Sequence, residues 1–186
     1  MKIIGGEKRG AHLAQLSQHT TRPTAQRTRE AIFNLLMGGR FGHQLLHKQM
    51  TVLDLCAGTG ALALEALSRG AGHAVLVEGD KQACQVITQN SQKLGYTSRT
   101  TLICADVTQP HHHRPAPASV LFCDPPYDSG FAQIAVTRAI EQSWVEPQAL
   151  IIIETRKNET AELGADCVFL ESRTYGMARI SLFRAS

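Results

Sequence analysis

From residue 51 onward, short runs of Val, Ile and Leu alternate with longer helical patterns, and this alternation leaves few folds open. The strand-like runs are TVLDL (51–55), AVLVE (74–78), TTLIC (100–104), SVLFC (119–123), ALIIIE (149–154), CVFLE (167–171) and RISLF (179–183). Helical periodicity fills about 60–69, 80–94 and 130–143 between them. Near-continuous apolar strands separated by helices belong to a parallel sheet covered on both faces. The last two runs have only ESRTYGMA between them and no helical segment, so an antiparallel hairpin is expected to close one edge. The expected fold is α/β: a mostly parallel, seven-stranded sheet with an antiparallel C-terminal hairpin.

Residues 1–50 read differently. KIIGG and AHLAQL suit a short hairpin or extended arm. Arg22 is held extended by Pro23, and Thr24 is placed to cap a helix running to about Leu36. Ala31, Ile32, Leu35 and Leu36 give that helix one apolar stripe, with Arg27, Arg29 and Asn34 on other faces; Gly38-Gly39 ends it. This is an extension packed on a main domain of 51–186, too small for a core of its own. It holds eight Lys and Arg against two Glu, a net of +6, whereas the rest holds eleven against fourteen, a net of −3. A basic end on a mildly acidic body fits a polyanion contact confined to that end.

The five cysteines are scattered without a C-x-x-C pair, which speaks against a metal or redox site, and three of them fall in or at the end of strand-like runs, where Cys behaves as a small hydrophobe. No apolar run approaches the roughly 20 residues of a membrane span, and MKIIGGEKRG lacks the apolar stretch of a signal peptide. A cytoplasmic protein without a membrane partner is expected. His111-His112-His113 stand in a proline-rich loop with no carboxylate or Cys at ligand spacing, so no metal is expected there.

Two stretches carry chemistry. In VLDLCAGTGALALEAL (52–67), a strand runs into Ala57-Gly58-Thr59-Gly60 and directly into a helix. Glycines allow a sharp bend and close approach of a ligand to the free N–H groups of the helix. Twenty residues beyond Gly58, Glu78 ends the second strand, where a carboxylate can accept both hydrogens of a ribose diol. The same residues satisfy the looser fingerprint G-x-G-x-x-A of dinucleotide enzymes. Asp54 tilts the reading, because a carboxylate before the turn can hold the cationic amino group of a methionine moiety. Asp106, after the third strand, could reach an adenine amine; taken by itself it reads as a cap.

The second stretch is Asp124-Pro125-Pro126-Tyr127, directly after the fourth strand and therefore beside the glycine turn. An aromatic amine on a base is a poor nucleophile, because its lone pair is delocalised into the ring. If the Asp124 carboxylate and the Pro125 carbonyl each accept an N–H bond, the nitrogen is drawn towards tetrahedral geometry. The prolines fix φ, so these acceptors are set before the base arrives. Tyr127 is placed to stack on a flipped or unpaired base. In order, the turn, the acidic residue and this tetrapeptide point to methyl transfer from S-adenosyl-L-methionine to a base amine.

These residues bring a resemblance into view. The segments MKIIGGEKRGAHL, TRPTAQRTREAIFNLL, LDLCAGTGALALEALSRGA, VLVEGD, FCDPPYDSG and RTYGMARISLF make the chain similar almost end to end to the RsmD family of 16S ribosomal RNA guanine-N2 methyltransferases. The R-P-T…R-x-R-E-x-x-F-N segment is the most family-specific, since general methyltransferases lack it. The resemblance implies a class I, Rossmann-like methyltransferase fold and S-adenosyl-L-methionine as cofactor. It implies guanine 966 of the small-subunit RNA as substrate, in an assembled or assembling particle. It places Asp54, Ala57, Gly58, Thr59, Gly60, Glu78 and Asp106 at the cofactor and Asp124, Pro125, Pro126 and Tyr127 at the chemistry. It also implies that residues 1–50 bind RNA and close over the cofactor, with Arg9, Arg22, Pro23, Thr24, Arg27 and Arg29 as contacts. Cys56 departs from the bulkier aromatic common before A-G-[ST]-G, and the histidine loop is unusual.

Three other readings compete. A DNA adenine or cytosine amine methyltransferase would use the same tetrapeptide, but 186 residues leave no room for a separate target-recognition domain. A protein-glutamine methyltransferase gives no reason for the basic end. A non-catalytic RNA-binding assembly factor would not need Asp124, Gly58, Gly60 and Glu78 together.

Overall fold

The computed structural model describes residues 1–16, 23–38, 47–109, 112–125 and 130–186. Seven strands form one sheet: β1 (Thr51–Leu55), β2 (His73–Glu78), β3 (Thr100–Cys104), β4 (Ala118–Cys123), β5 (Val145–Arg156), β6 (Cys167–Tyr175) and β7 (Ala178–Ala185). Their order is β3-β2-β1-β4-β5-β7-β6. The pairs β1–β2, β2–β3, β1–β4 and β4–β5 are parallel, and β7 runs antiparallel to both β5 and β6. The strand order reverses between β1 and β4, which opens a crevice at their carboxyl ends, the usual ligand position in such sheets.

Successive strand residues face opposite sides, and both sides are covered. On one, Val52, Leu76, Phe122, Ile152 and Leu182 pack with helices α1 (Pro23–Met37), α2 (Ala61–Ser68) and α3 (Lys81–Leu94). On the other, Leu53, Val75, Leu121, Ile151 and Phe183 meet Ala135, Val136 and Ala139 of α4 (Phe131–Glu141) together with Trp144. The indole N–H of Trp144 donates to the His113 carbonyl at 3.2 Å, so part of the histidine-bearing loop is tied over this layer.

The N-terminal extension joins the first layer. An antiparallel bridge pairs Lys2 with His12, and Ile3 and Leu13 enter the core beside Ile32, Phe33 and Leu36 of α1. Phe33 packs on Phe122 with ring centroids 5.8 Å apart, while the Arg69 guanidinium lies 4.9 Å over the Phe33 ring. Glu65, in the otherwise apolar α2, anchors the hairpin. Its carboxylate accepts the N–H groups of Ile4 and Gly5 at 2.7 and 2.8 Å and the Arg69 Nε–H at 2.7 Å. Arg29 approaches it at 3.9 Å and donates to the Lys2 carbonyl at 2.8 Å.

Four details differ from the sequence reading. The helix α1 starts at Pro23, so Thr24 lies inside its first turn rather than at the cap; proline suits a first helical position because its missing N–H would be unpaired there anyway. β5 begins at Val145 rather than at Ala149, before a register shift against β4 and a left-handed Gln148 (φ 66°). β6 extends to Tyr175, because this outermost strand is largely exposed and polar. Cys84, in the first turn of α3, forms a disulfide with Cys104 at the end of β3, with Cα atoms 6.2 Å apart. Strand-to-helix packing brings together two cysteines that are far apart in sequence, so the expectation that no cysteine takes part in redox chemistry is corrected for this pair.

Glu65→Ala leaves Arg29 and Arg69 without their shared counter-charge in a buried setting. It is expected to lower unfolding stability by about 3–5 kcal/mol in urea titration; a loss near zero would show that the arm is held by apolar contacts alone.

Candidate active site

The glycine turn makes the short connection between the end of β1 at Leu55 and the start of α2 at Ala61. Gly58 (φ 56°) and Gly60 (φ 76°) both take left-handed backbone. At Gly60 a Cβ would come within 3.0 Å of Leu76 Cδ2, whereas at Gly58 it would meet nothing within 4 Å. Gly60 therefore packs inward, and the space over Gly58 is open for a ligand to approach the backbone. Glu78 fastens the turn: its Oε2 accepts the Gly58 N–H at 2.7 Å and its Oε1 accepts the Asp80 N–H at 2.8 Å. A carboxylate has about four lone-pair directions, so two protein bonds leave acceptor capacity for a diol.

Asp54 is buried on β1, and its Oδ2 accepts the Ala63 N–H of α2 at 3.1 Å. Burial raises its pKa to about 8; the Ala63 bond opposes this, and the nearby charges of Asp124 and Glu78 add to it. Asp124 follows β4, next to β1 in the sheet, where Leu55 pairs with Cys123. Its side chain reaches the surface, yet enough protein surrounds it that burial raises its pKa to about 6. Pro125 behind it is buried. Asp124 and Glu78 are thus near enough to Asp54 for their charges to act on it, a field that favours a cation.

Asp106 sits in the loop after β3, where its Oδ1 accepts the Thr108 N–H at 2.9 Å and the Thr108 hydroxyl at 2.7 Å. In this structure it caps its own turn. Among the proposed RNA contacts, Arg9 and Arg27 are exposed. Arg29 is not: it is 4 % exposed and bound to the hairpin and to Glu65, which corrects its expected place on an open helix face. Arg22, Pro126 and Tyr127 lie outside the described residues, as do the side chains of Pro23 and Thr24 and residues Gly39 and His111.

Sequence reasoning noted Cys56 only as a departure from the family pattern and missed Asn90. Cys56 holds a left-handed conformation (φ 61°) directly before the turn, and its thiol hydrogen-bonds with buried Cys123; that bond and then burial raise the Cys123 pKa. The departure at Cys56 therefore places a second thiol beside that of Cys123, which also feels the charges of Asp124 and Asp54. Asn90 is fully buried on α3 and donates to the Thr59 carbonyl in the turn at 3.0 Å. A polar residue in the apolar phase of a helix was the available signal.

The sheet order and this crevice define a class I, Rossmann-like methyltransferase. The chain matches the family described as "Conserved hypothetical protein 95" over residues 1–184. It is 31% identical over 193 residues to "Ribosomal RNA small subunit methyltransferase D" of Haemophilus influenzae, covering 99% of this chain and 93% of that protein. A solved structure, "Putative methyltransferase yhhF from Escherichia coli", superposes with TM-score 0.83 at 26% identity, covering 100% of this chain and 98% of that one. The chain belongs to the RsmD-like family of ribosomal RNA methyltransferases. The fold extends to magnesium protoporphyrin IX methyltransferase of Synechocystis, solved with bound SAM, at TM-score 0.64 and 15% identity over 88% of this chain and 80% of that one. S-adenosyl-L-methionine is the cofactor of these methyltransferases. Among the described residues no helix is long and apolar enough to cross a membrane.

The raised carboxyls set a pH dependence. Folded Asp54 and Asp124 keep protons that the unfolded chain has released above about pH 4. Stability therefore falls as pH rises from about 4 towards about 8. Asp54→Asn is expected to flatten much of this slope in urea titrations across that range; an unchanged slope would place the titration elsewhere.

Proposed function

We propose that this methyltransferase acts on the exocyclic N2 amine of a guanine in small-subunit ribosomal RNA, at the nucleotide numbered 966 in that family. The observation that carries the reading is the adjacency of Asp124 to the glycine turn across the β1–β4 pair. The relatives' printed names supply the RNA class, and the basic residues of the extension, with Arg9 and Arg27 exposed, supply a surface for its phosphates.

The residues present fit the donor. Gly58 leaves open space, Glu78 retains acceptor capacity for the ribose, and Asp54 offers the cationic amino group a carboxylate whose burial is otherwise unfavourable. Bound S-adenosyl-L-methionine supplies a methyl group activated on a sulfonium, leaving a thioether behind. Everything else falls to the chain. Asp124 and the Pro125 carbonyl accept the two amine hydrogens and localise the nitrogen lone pair. Asp124, charged above about pH 6, takes the proton that the methylated nitrogen sheds. Pro125, buried and fixed in φ, keeps its carbonyl in place.

Asp124→Ala is expected to cut transfer by orders of magnitude while leaving the dissociation constant for the donor nearly intact by calorimetry. Equal activity in the variant would refute the role. The substrate is tested directly with labelled donor and small-subunit particles from cells lacking the protein, followed by mass spectrometry of the nucleosides. N2-methylguanosine is expected; N6-methyladenosine or N4-methylcytidine would replace the guanine assignment. Arg27→Glu is expected to weaken RNA binding and to reduce the slope of log K against log salt by about one phosphate contact or more. An unaltered slope would remove α1 from the interface.

A further inference from the structure

Asn90 stands on the stripe of α3 that carries Ala83, Ile87 and Leu94, and it is as buried as they are. A carboxamide in such a place is unfavourable unless its polar atoms are paired. Its oxygen accepts the Ala14 N–H at 2.7 Å, and its nitrogen donates to the Ala14 carbonyl at 3.2 Å and to the Thr59 carbonyl at 3.0 Å. One side chain thus holds both the end of the N-terminal hairpin and the middle of the glycine turn.

Each end of this link has a consequence. The Thr59 carbonyl and the Gly60 N–H share one planar peptide unit, so fixing the oxygen also fixes where that N–H points; it points at the Ala57 carbonyl, 2.7 Å away. At the other end, Ala14 is gripped through both of its backbone groups, which sets the direction in which the arm leaves the hairpin. Gln15 and Leu16 then form one wall of a groove whose other wall is the α3 face bearing Gln85, Val86 and Gln89. A second contact joins the same parts: the Thr59 hydroxyl donates to Met1 Sδ at 3.7 Å.

We infer that Asn90 is a positioning residue that couples the cofactor turn to the N-terminal arm, so that donor occupancy and RNA affinity are thermodynamically linked. This rests on the RNA methyltransferase reading above. Asn90 need touch neither donor nor RNA. A ligand that changes the order of the turn changes the order of the arm, and linkage makes the effect reciprocal.

The test measures the dissociation constant of S-adenosylhomocysteine with and without a saturating ribosomal RNA fragment, and that of the RNA with and without S-adenosylhomocysteine. In the wild type the two ratios are expected to agree and to differ from one by about fivefold or more. Asn90→Asp keeps the size and the acceptor for Ala14 but sets an oxygen against two carbonyls, and its ratio is expected to fall to one. A residue with a merely structural role would shift both affinities and leave the ratio unchanged, which would overturn the inference, as would a wild-type ratio of one. Should the variant fail to fold, hydrogen exchange on the wild type decides: S-adenosylhomocysteine is expected to slow exchange in residues 11–16, and equal exchange overturns the coupling. Wild-type methyl transfer to the particle, run alongside, separates the two claims. Its absence sinks the activity, whereas transfer with a ratio of one sinks the coupling alone.

Discussion

The parallel pairing of β1 with β4 sets what the rest of the site can do. Because Leu55 and Cys123 are partners in register, the two strands end at one level. The glycine turn leaves one strand there and Asp124 leaves the other. A one-residue slip would turn every apolar side chain of β4 to the wrong layer, so packing on both faces of the sheet fixes the position of Asp124. The placement of Asp124 beside the glycine turn is here a by-product of core burial: Val120 and Phe122 face one layer and Leu121 and Cys123 the other, all fully or almost fully buried.

The same logic explains which parts were readable beforehand. The central strands announce themselves because burial on both faces demands unbroken Val, Ile and Leu, as in TVLDL and SVLFC. The ends of β5 and β6 did not, since Pro147 and Gln148 sit at an irregularity and the outermost strand needs no apolar run to be a strand. In the site, Gly58, Gly60 and Glu78 are legible because backbone conformation and strand-end position restrict what stands there. Arg29 is not. Its partners, the Lys2 carbonyl and Glu65, are distant in sequence, and nothing local distinguishes an arginine that faces phosphate from one that staples two elements. The Cys84–Cys104 bridge is hidden for the same reason.

Glu65 and Asn90 are polar residues in helices whose neighbours are apolar, and each grips backbone of the N-terminal hairpin. Charge and carboxamide at these depths favour one arrangement over others, because a misplaced hairpin would leave them unpaired. Apolar contacts from Ile3 and Leu13 supply attraction without such selectivity. The extension is therefore registered on the sheet rather than merely adhering to it.

Electrostatics also distinguish between two ligands that a glycine turn of this kind accommodates. A dinucleotide places an anionic pyrophosphate at the turn and gains from the free N–H groups of the helix. Here Asp54 lies on the strand that leads into the turn, Glu78 is bonded to Gly58, and Asp124 is close enough to Asp54 for their charges to interact. A pyrophosphate would add negative charge to that cluster and push the carboxyls further towards their neutral forms. A ligand carrying an ammonium and a sulfonium does the opposite: positive charge beside the cluster favours the ionised forms of Asp54 and Asp124, which burial, and for Asp54 also the neighbouring carboxylates, otherwise disfavours. The acidic cluster is unfavourable for the empty fold and would become favourable with a cationic ligand beside it, so the electrostatics of this turn suit a sulfonium donor better than the pyrophosphate that its looser dinucleotide fingerprint also admits.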